Sequence, residues 1–395
     1  MASSRELFLT YLGQTSPAPM LLEIESASGV FLTDISGRKY FDLISGVSVS
    51  NTGHNNPQII DAVKSQAEKH MHLMVYGEFI QAPQVNLANK LCSLLPDPLN
   101  SVYYVNSGSE AIEGAVKLAR RHTRRHQTIS FRNAYHGSTA GALSLCGNED
   151  FKNSFRPLTP GGYIAEMNQD ASIEAISEKT ACVVIEPVQA EAGIVIPNTE
   201  FMKTLRHRCN QTGTLLIFDE IQTGFGRTGK LFAMEHFNVV PDIVCFAKAF
   251  GGGMPLGAFV ANRLVMNSFM TDPVLGHITT FGGHPVSCAA AMASLNIVVS
   301  EKLADRAAKT EILFRELLIH PSIKEIRGLG LLLAVELGSS EKVQQFIRKG
   351  LENGIVSDWF IFHDTAFRIA PPLNISDDEV HIACRLVLKT LDDIS

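Results

Sequence analysis

The sequence predicts an α/β protein built on a mostly parallel β-sheet with helices on both faces. Short, continuous apolar runs recur along the chain, and helical patterns separate several of them, at residues 102–105, 128–131, 181–185, 214–218 and 243–246. Buried strands of a parallel sheet have this composition because helices cover both of their faces. From about Ala289 the pattern changes to long helices, which predicts a second, smaller α+β domain.

The elements outside this alternation are assigned in chain order. Residues 21–42 alternate apolar and polar side chains around a turn at Ser36-Gly37, which predicts a β-hairpin. After a segment that begins at Ser45, Pro57 is expected to open a helix. In the last third of the chain, periodicity predicts two helices, one strand and two more helices, at 289–300, 303–318, 329–337, around Lys342 and around Glu379.

Composition limits the classes of partner. The chain has 395 residues, of which 45% are hydrophobic and 19% charged, so it can bury the core of two or three domains. A net charge of −6 argues against a nucleic-acid partner, and we interpret the basic run from Arg120 to Arg125 as the solvated end of a helix.

Cysteine usage and apolar runs bear on location. Seven cysteines without a Cys-x-x-Cys pair predict reduced thiols and no structural zinc. No apolar run is long enough for a secretory signal or a membrane span. We therefore expect a cytoplasmic protein with no membrane partner.

One lysine stands in an otherwise apolar run, Asp242 to Gly257. A buried ammonium group is costly, so Lys248 should be paired, deprotonated or covalently bonded. The glycines that follow it allow the backbone to approach a ligand closely. A lysine that extends from a strand end into solvent is the alternative interpretation.

Asp219 directly follows the strand predicted at 214–218, at the position where parallel sheets carry functional residues. A lysine and a carboxylate at neighbouring strand ends are the two protein groups that a pyridoxal phosphate (PLP) site needs. Lys248 would bond the aldehyde, and Asp219 would keep the pyridine nitrogen protonated. Together these segments resemble the class III aminotransferases, PLP enzymes of fold type I, and the likeness extends from about Gly29 to Leu373.

The resemblance implies a domain division and a phosphate site. The large PLP-binding domain would span 46–288, and a small domain would combine 1–45 with 289–395. The cofactor phosphate would bind where a predicted strand meets a helix, at Ser107, Gly108 and Ser109. A capped helix N-terminus with glycine and hydroxyl groups is also an anion site.

Further cofactor contacts are implied by the family motifs. Tyr135 would stack on the pyridine ring beside His136, and Gln222 would hydrogen bond the phenolic oxygen. Glu186 would lie behind the cofactor, and the segment 45–57 would enter the active site. Thr280 would reach the phosphate of the partner subunit, so the resemblance implies a homodimer with shared active sites.

Two positions near these motifs depart from the family pattern. In Glu-Pro-Val-Gln-Ala-Glu-Ala-Gly, Ala190 stands where the family usually has glycine, and His284 replaces a common asparagine after Thr280. The sequence does not indicate the effect of either change.

The substrate would be held by an arginine and a switchable acid. Arg368, in Arg-Ile-Ala-Pro-Pro-Leu, would bind the carboxylate of an amino acid or 2-oxo acid, and Glu191 would pair with it in one half of the cycle. Relatives often follow Tyr-His-Gly with an arginine for the donor's distal carboxylate, but this chain has Ser138. We expect 2-oxoglutarate or pyruvate as the acceptor. The sequence favours an ω-amine or β-amino acid as the donor at least as much as acetylornithine or ornithine.

Two glycine patterns suggest a nucleotide instead. Gly224 to Gly229 satisfies G-x-G-x-x-G, and Gly224 to Lys230 satisfies G-x-x-x-x-G-K. The first does not directly follow its strand, and Leu231 stands where a phosphate loop needs Ser or Thr, so nucleotide chemistry is disfavoured. Racemase, aminomutase or lyase activity on the PLP scaffold stays open, as does a catalytically idle binding protein. The sequence predicts a PLP-dependent aminotransferase first.

Overall fold

The computed structural model describes residues 3–395, which form three β-sheets and the helices that pack on them. The strands are β1 (Ile24–Ser28), β2 (Phe31–Asp34), β3 (Lys39–Asp42), β4 (Ser101–Val105), β5 (Gln127–Phe131), β6 (Gly162–Ala165), β7 (Thr180–Ile185), β8 (Leu215–Asp219), β9 (Ile243–Phe246), β10 (Gly257–Ala261), β11 (Glu325–Leu329), β12 (Leu332–Glu336), β13 (Ile355–Val356), β14 (Trp359–Phe360) and β15 (His363–Ile369).

The helices follow the same order. They are α1 (Ser4–Tyr11), α2 (Ser45–Ser48), α3 (Pro57–Lys69), α4 (Ala82–Leu94), α5 (Gly108–Thr123), α6 (Ala140–Ser144), α7 (Asp170–Glu174), α8 (Thr199–Thr212), α9 (Arg263–Met266), α10 (Pro285–Ser300), α11 (Leu303–Leu317), α12 (Ser340–Asn353) and α13 (Asp377–Asp392). Short 3₁₀ turns lie at Asn153–Phe155, Ala233–His236, Lys248–Gly251 and Asn267–Phe269.

The central sheet contains seven strands in the order β4-β10-β9-β8-β7-β5-β6. Strands β5 to β9 run parallel to one another, whereas β10 is antiparallel to both of its neighbours. The predicted α/β fold with a mostly parallel sheet is confirmed. Because parallel strands end at the same edge, the segments after β4, β5, β7, β8 and β9 meet there.

Alternate residues of the central strands enter two different apolar cores. On β7, Val183 and Ile185 belong to one core, and Cys182 and Val184 belong to the other. Helix α5 covers the second core with its apolar face. Burial on both faces explains the continuous apolar runs of these strands.

Two four-stranded sheets accompany helices α10 to α13. Their orders are β1-β2-β3-β13 and β11-β12-β15-β14. The hairpin predicted at 21–42 is observed as three strands, and the turn at Ser36-Gly37 joins β2 to β3. Strand β13 pairs in parallel with β3, which ties the N-terminal strands to the C-terminal part of the chain. The domain limits at 46 and 288 stay a prediction.

Two further observations concern cysteines and helix length. All seven cysteines are free thiols. Within residues 3–395 no single helix is long and apolar enough to span a bilayer, and α10 and α11 meet the criterion only as a pair bent by 61°.

Candidate active site

A cavity of about 370 Å³ opens at the carboxyl ends of the parallel strands. That size is typical of small-molecule sites, and this edge is where open α/β sheets bind ligands. Ten of the predicted site residues line it, namely Ser107, Gly108, Ser109, Tyr135, His136, Glu186, Glu191, Asp219, Gln222 and Lys248.

Lys248 lies two residues after the end of β9 and opens a 3₁₀ turn. Its φ is +50°, a left-handed conformation that non-glycine residues seldom adopt and that is enriched at functional sites. The Nζ atom donates to Gln222 Oε1 at 2.6 Å. Burial lowers the pKa of Lys248, while Glu191 and Asp219 oppose that effect. The amine therefore gives up its proton more readily than an exposed lysine does.

Asp219 ends β8 and is held from two sides. Its Oδ2 lies 2.7 Å from His136 Nδ1, and its Oδ1 accepts a hydrogen bond from Ile221 N at 3.1 Å. Burial lowers the pKa of His136, but the hydrogen bond and the charge of Asp219 outweigh burial and raise that pKa overall. The pair fixes a carboxylate in the wall of the cavity.

Glu186 connects two loops behind this pair. Its carboxylate accepts hydrogen bonds from Tyr135 N at 3.0 Å and from Ala190 N at 3.1 Å. Burial raises the pKa of Glu186 to about 7, with His136 lowering it and Asp219 raising it. Ala190 is not among the left-handed residues of the described chain, so the glycine that is usual here is not required.

The N-terminus of α5 forms one end of the cavity. Ser107 caps the 16-residue helix by accepting a hydrogen bond from Glu110 N at 3.2 Å. A Cβ atom on Gly137 would lie 2.1 Å from Ser109 Oγ, so glycine permits a close approach of the two loops. A helix terminus with unpaired N–H groups and two serines can bind an anion such as a phosphate.

Two buried nitrogen atoms of cavity-lining side chains make no hydrogen bond. Within residues 3–395, Gln222 Nε2 and His136 Nε2 have no hydrogen-bond partner. Buried polar groups normally have partners, so unused donors beside Lys248 and Asp219 indicate a missing acceptor. The residues present therefore fit PLP, whose ring carries a phenolic oxygen and a phosphate.

Arg368 and Glu191 form a buried ion pair at the cavity wall. Arg368 Nη2 donates to both oxygens of Glu191, at 3.0 and 2.9 Å. The guanidinium is 1% exposed and lies 4.7 Å from the ring centroid of Phe360. Burial raises the pKa of Glu191, but Arg368 and Lys248 outweigh it and lower that pKa. Glu191 lines the cavity, whereas Arg368 lies behind it.

Comparison with known proteins decides the family. The family model described as aminotransferase class-III matches residues 13–391. The chain belongs to the class III aminotransferases. Members of this family depend on PLP, which is the cofactor of this enzyme.

Three relatives illustrate the range of this aminotransferase's neighbours. The acetylornithine aminotransferase of Methanopyrus kandleri is 39% identical over 360 residues, or 90% of each chain. The putrescine aminotransferase of Pectobacterium atrosepticum is 37% identical over 381 residues, or 92% of this chain and 80% of the other. The crystal structure of the Toxoplasma gondii ornithine aminotransferase gives a TM-score of 0.92 at 32% identity and covers 100% of this chain and 96% of that one.

Two other predicted site residues of the aminotransferase lie outside the cavity lining. Ser138 is exposed, and its Oγ is 3.1 Å from the hydroxyl oxygen of Tyr135. Thr280 is exposed too, beside His284, whose ring stacks on His72 with 5.6 Å between centroids. A contact of Thr280 with a partner subunit stays a prediction.

Val49 lines the cavity; the resemblance implied that its segment, 45–57, enters the active site, but no side chain of the segment was singled out. Val49 follows α2, in which all four residues have φ between +48° and +64°. Left-handed backbone costs L residues about 1 kcal/mol each, so contacts must hold this turn. Buried Arg227 supplies them, donating to Ser45 Oγ at 3.1 Å and Pro371 O at 2.6 Å.

The glycine patterns that suggested a nucleotide instead shape the loop that carries Arg227. Gly226 has a φ of +92°, and a Cβ atom there would lie 2.9 Å from Leu373 Cδ1. The glycines let the loop turn tightly and bring Arg227 into the interior. They require no phosphate ligand.

Asp358 is the other residue that was missed. Its Oδ1 lies 3.1 Å from Arg368 Nε, whereas Glu191 accepts hydrogen bonds from Nη2. The sequence offered one signal, an acid placed shortly before the strand that carries Arg368.

Proposed function

We propose that this aminotransferase moves an amino group from an ω-amine to a 2-oxo acid, with 2-oxoglutarate or pyruvate as acceptor. The observation that carries the proposal is that Glu191 lines the cavity and is bonded to Arg368, which does not line it. A donor amine without a carboxylate near Glu191 can bind while Glu191 stays paired with Arg368. A 2-oxo acid requires Glu191 to withdraw, after which Arg368 can bind its carboxylate.

When bound, PLP would supply an aldehyde for the donor's nitrogen and an electron-withdrawing ring for the neighbouring carbon. We assign the phosphate to Ser107, Gly108 and Ser109 at the α5 terminus. Tyr135 would lie against the ring. These assignments rest on the cavity lining and on the unused donors beside it.

The remaining residues would act on protons. Lys248 Nζ would take the proton from the substrate carbon and return it on the cofactor side, a task that suits an amine with a lowered pKa. Asp219 would hold a proton on the pyridine nitrogen, with His136 fixing its carboxylate at 2.7 Å. Gln222 would donate its unused Nε2 hydrogen to the phenolic oxygen.

Acetylornithine is the second candidate donor, since the Methanopyrus kandleri relative bears that name at 39% identity. Its distal carboxylate would need a cation near Ser138. Among the lining residues in the described part of the chain, Lys248 is the sole lysine or arginine, and it is already engaged with Gln222. The name of the putrescine enzyme supports the proposed ω-amine class instead.

A donor panel tests the proposal. The half-reaction with donor alone should be fastest for a diamine or simple ω-amine, and slower by about thirtyfold for acetylornithine and ornithine, because a missing charged contact is worth about 2 kcal/mol. Stopped-flow absorbance of the bound cofactor, with 4-aminobutyrate and a β-amino acid included, measures each rate. Acetylornithine leading by orders of magnitude would show that the argument from Ser138 is wrong.

A substitution sharpens the same test. Ser138→Arg should raise kcat/KM for acetylornithine by about tenfold or more while leaving a simple amine unaffected, since it restores a cation for the distal carboxylate. Ser138→Gln is the matched control, because it adds length and polarity without charge. Equal gains in both variants would contradict a role for charge.

We also propose a homodimer with shared active sites. Large apolar side chains are exposed on two neighbouring segments, at Met71, Met74 and Phe79 and at Ile278 and Phe281. The His72 and Phe281 rings are 4.9 Å apart, so the two segments form one surface. Monomeric proteins seldom expose such a patch.

Complementation would test the shared site. Lys248→Ala and Thr280→Asp chains should each be inactive, the second because its new charge repels the partner's phosphate. Random exchange of equal amounts should restore about a quarter of full activity, since half of the dimers are mixed and each has one intact site. Thr199→Asp, at an exposed position of α8, should stay active alone. No recovery despite proven subunit exchange would contradict sharing.

A cytoplasmic location also belongs to the proposal. The seven free thiols support it, because oxidising compartments favour disulfides.

A further inference from the structure

The guanidinium of Arg368 faces two acids. Besides Glu191 at Nη2, Asp358 places Oδ1 3.1 Å from Nε. The backbone fixes this second contact, because Arg368 N donates to Asp358 O at 2.9 Å and Ser357 Oγ donates to Arg368 O at 2.7 Å. Asp358 immediately precedes β14, so the pairing of β14 with β15 helps to set its position.

The contact between Asp358 and Arg368 is one of charge. Although the atoms are 3.1 Å apart, neither Asp358 Oδ1 nor Arg368 Nε makes a hydrogen bond within residues 3–395. Arg368 Nη1 has no acceptor there either. The guanidinium thus keeps unused donors for a substrate carboxylate, with a negative charge beside them.

Three charged groups act on Asp358 from the elements around it. They are Arg368 on β15, Glu191 after β7 and Asp42 on β3, which is itself 2.7 Å from His54. Burial raises the pKa of Asp358 to about 6, with Arg368 lowering it and both acids raising it. The side chain remains 21% exposed, so protons can reach it from solvent.

We propose that Asp358 is a specificity-determining residue that competes with a substrate carboxylate for Arg368. The inference rests on the proposed function, in which the acceptor's carboxylate takes the place of Glu191. When Asp358 is charged, Arg368 binds an acceptor less tightly. An amine that never uses Arg368 is insensitive to Asp358, so this residue favours the amine half of the cycle.

The affinity for a carboxylate ligand should fall as the pH rises. Above about pH 6, Asp358 is ionised and repels an incoming carboxylate, and the repulsion is lost when Asp358 takes up a proton. Affinity for a carboxylate ligand should therefore fall by about tenfold between about pH 6 and about pH 8. Binding near pH 7 should be accompanied by proton uptake.

Glutarate provides a probe, because it carries carboxylates but no amine or oxo group. Its Kd for the PLP-loaded enzyme would be measured by calorimetry across this range of pH. Asp358→Asn keeps the shape and removes the charge, so it should bind glutarate about tenfold more tightly than wild type at about pH 8 and show a flat profile. Asp364→Asn removes the same charge from an exposed position of β15 and should keep the wild-type profile.

Several outcomes would overturn the inference. Asp358→Asn could bind glutarate no tighter than wild type, or the pH profile could persist in Asp358→Asn and vanish in Glu191→Gln. Absence of proton uptake by the wild type, measured in two buffers of different ionisation enthalpy, would contradict it without any variant. If Asp358→Asn fails to fold, Asp358→Ser gives the same comparison.

The outcome of the donor panel is independent of the outcome of the glutarate titration. An unexpected donor preference with an intact glutarate profile would remove the proposed donor class and leave the role of Asp358 standing.

Discussion

Replacing Lys248 by alanine should lower kcat by at least about a thousandfold. In the proposed function Lys248 takes the substrate proton, and a positioned acid or base contributes about 10²–10⁴ to the rate. Loss of the proposed covalent attachment to PLP should remove a further contribution. Steady-state kinetics with saturating PLP would measure the fall, and mass spectrometry after borohydride reduction should find the cofactor on Lys248 in wild type and on no residue of the variant.

Lys230→Ala provides the control for this change. Lys230 is exposed, follows the loop that carries Arg227, and lies outside the cavity lining. Its loss should leave both the adduct and kcat unaltered. An adduct on another lysine, or a Lys248→Ala enzyme with more than about a tenth of the wild-type rate, would contradict the assignment.

The strands of the central sheet could be predicted where burial covers both faces. Residues 181–185 and 243–246 read as continuous apolar runs and coincide with β7 and β9 to within one residue. Asp219 and Lys248 could be predicted with them, because a polar residue after such a run falls at the carboxyl edge of the sheet. Local sequence therefore identifies the side chains that follow these buried strands.

Two strands of the same sheet were missed for a physical reason. Strand β6, Gly162–Ala165, is a four-residue edge strand whose first two residues are exposed. Strand β10, Gly257–Ala261, consists mostly of small residues, and glycine at its start permits contact with Ser107 O, where a Cβ atom would lie 2.4 Å away. Tertiary packing stabilises both strands, and local composition gives little sign of it.

The substrate end could be predicted only in part. The pairing of Arg368 with Glu191 followed from family motifs, but the position of Asp358 depends on how β14 pairs with β15. The left-handed turn of α2 likewise depends on Arg227, far along the chain, and Gly46 is its one local signal. Contacts between distant segments are absent from local patterns.

Asp219→Asn should reduce kcat by about a hundredfold to a thousandfold while PLP still binds. The change preserves shape and removes the charge assigned to keep the pyridine nitrogen protonated, an electrostatic contribution of about 3–4 kcal/mol in a buried site. It also removes the charge that raises the pKa of His136, so His136 should become neutral more readily. Kinetics and cofactor content together separate lost chemistry from lost binding.

Asp219→Glu is the informative comparison, because it retains the charge and alters only its reach. It should keep more activity than Asp219→Asn, and the pH titration of the bound cofactor's absorbance should shift in the asparagine variant and change less in the glutamate variant. Asp170→Asn, at an exposed position of α7, controls for a general loss of one charge. If Asp219→Asn keeps the wild-type titration and rate, the carboxylate only orients His136, and the unused Nε2 of that histidine becomes the group to examine at the pyridine ring.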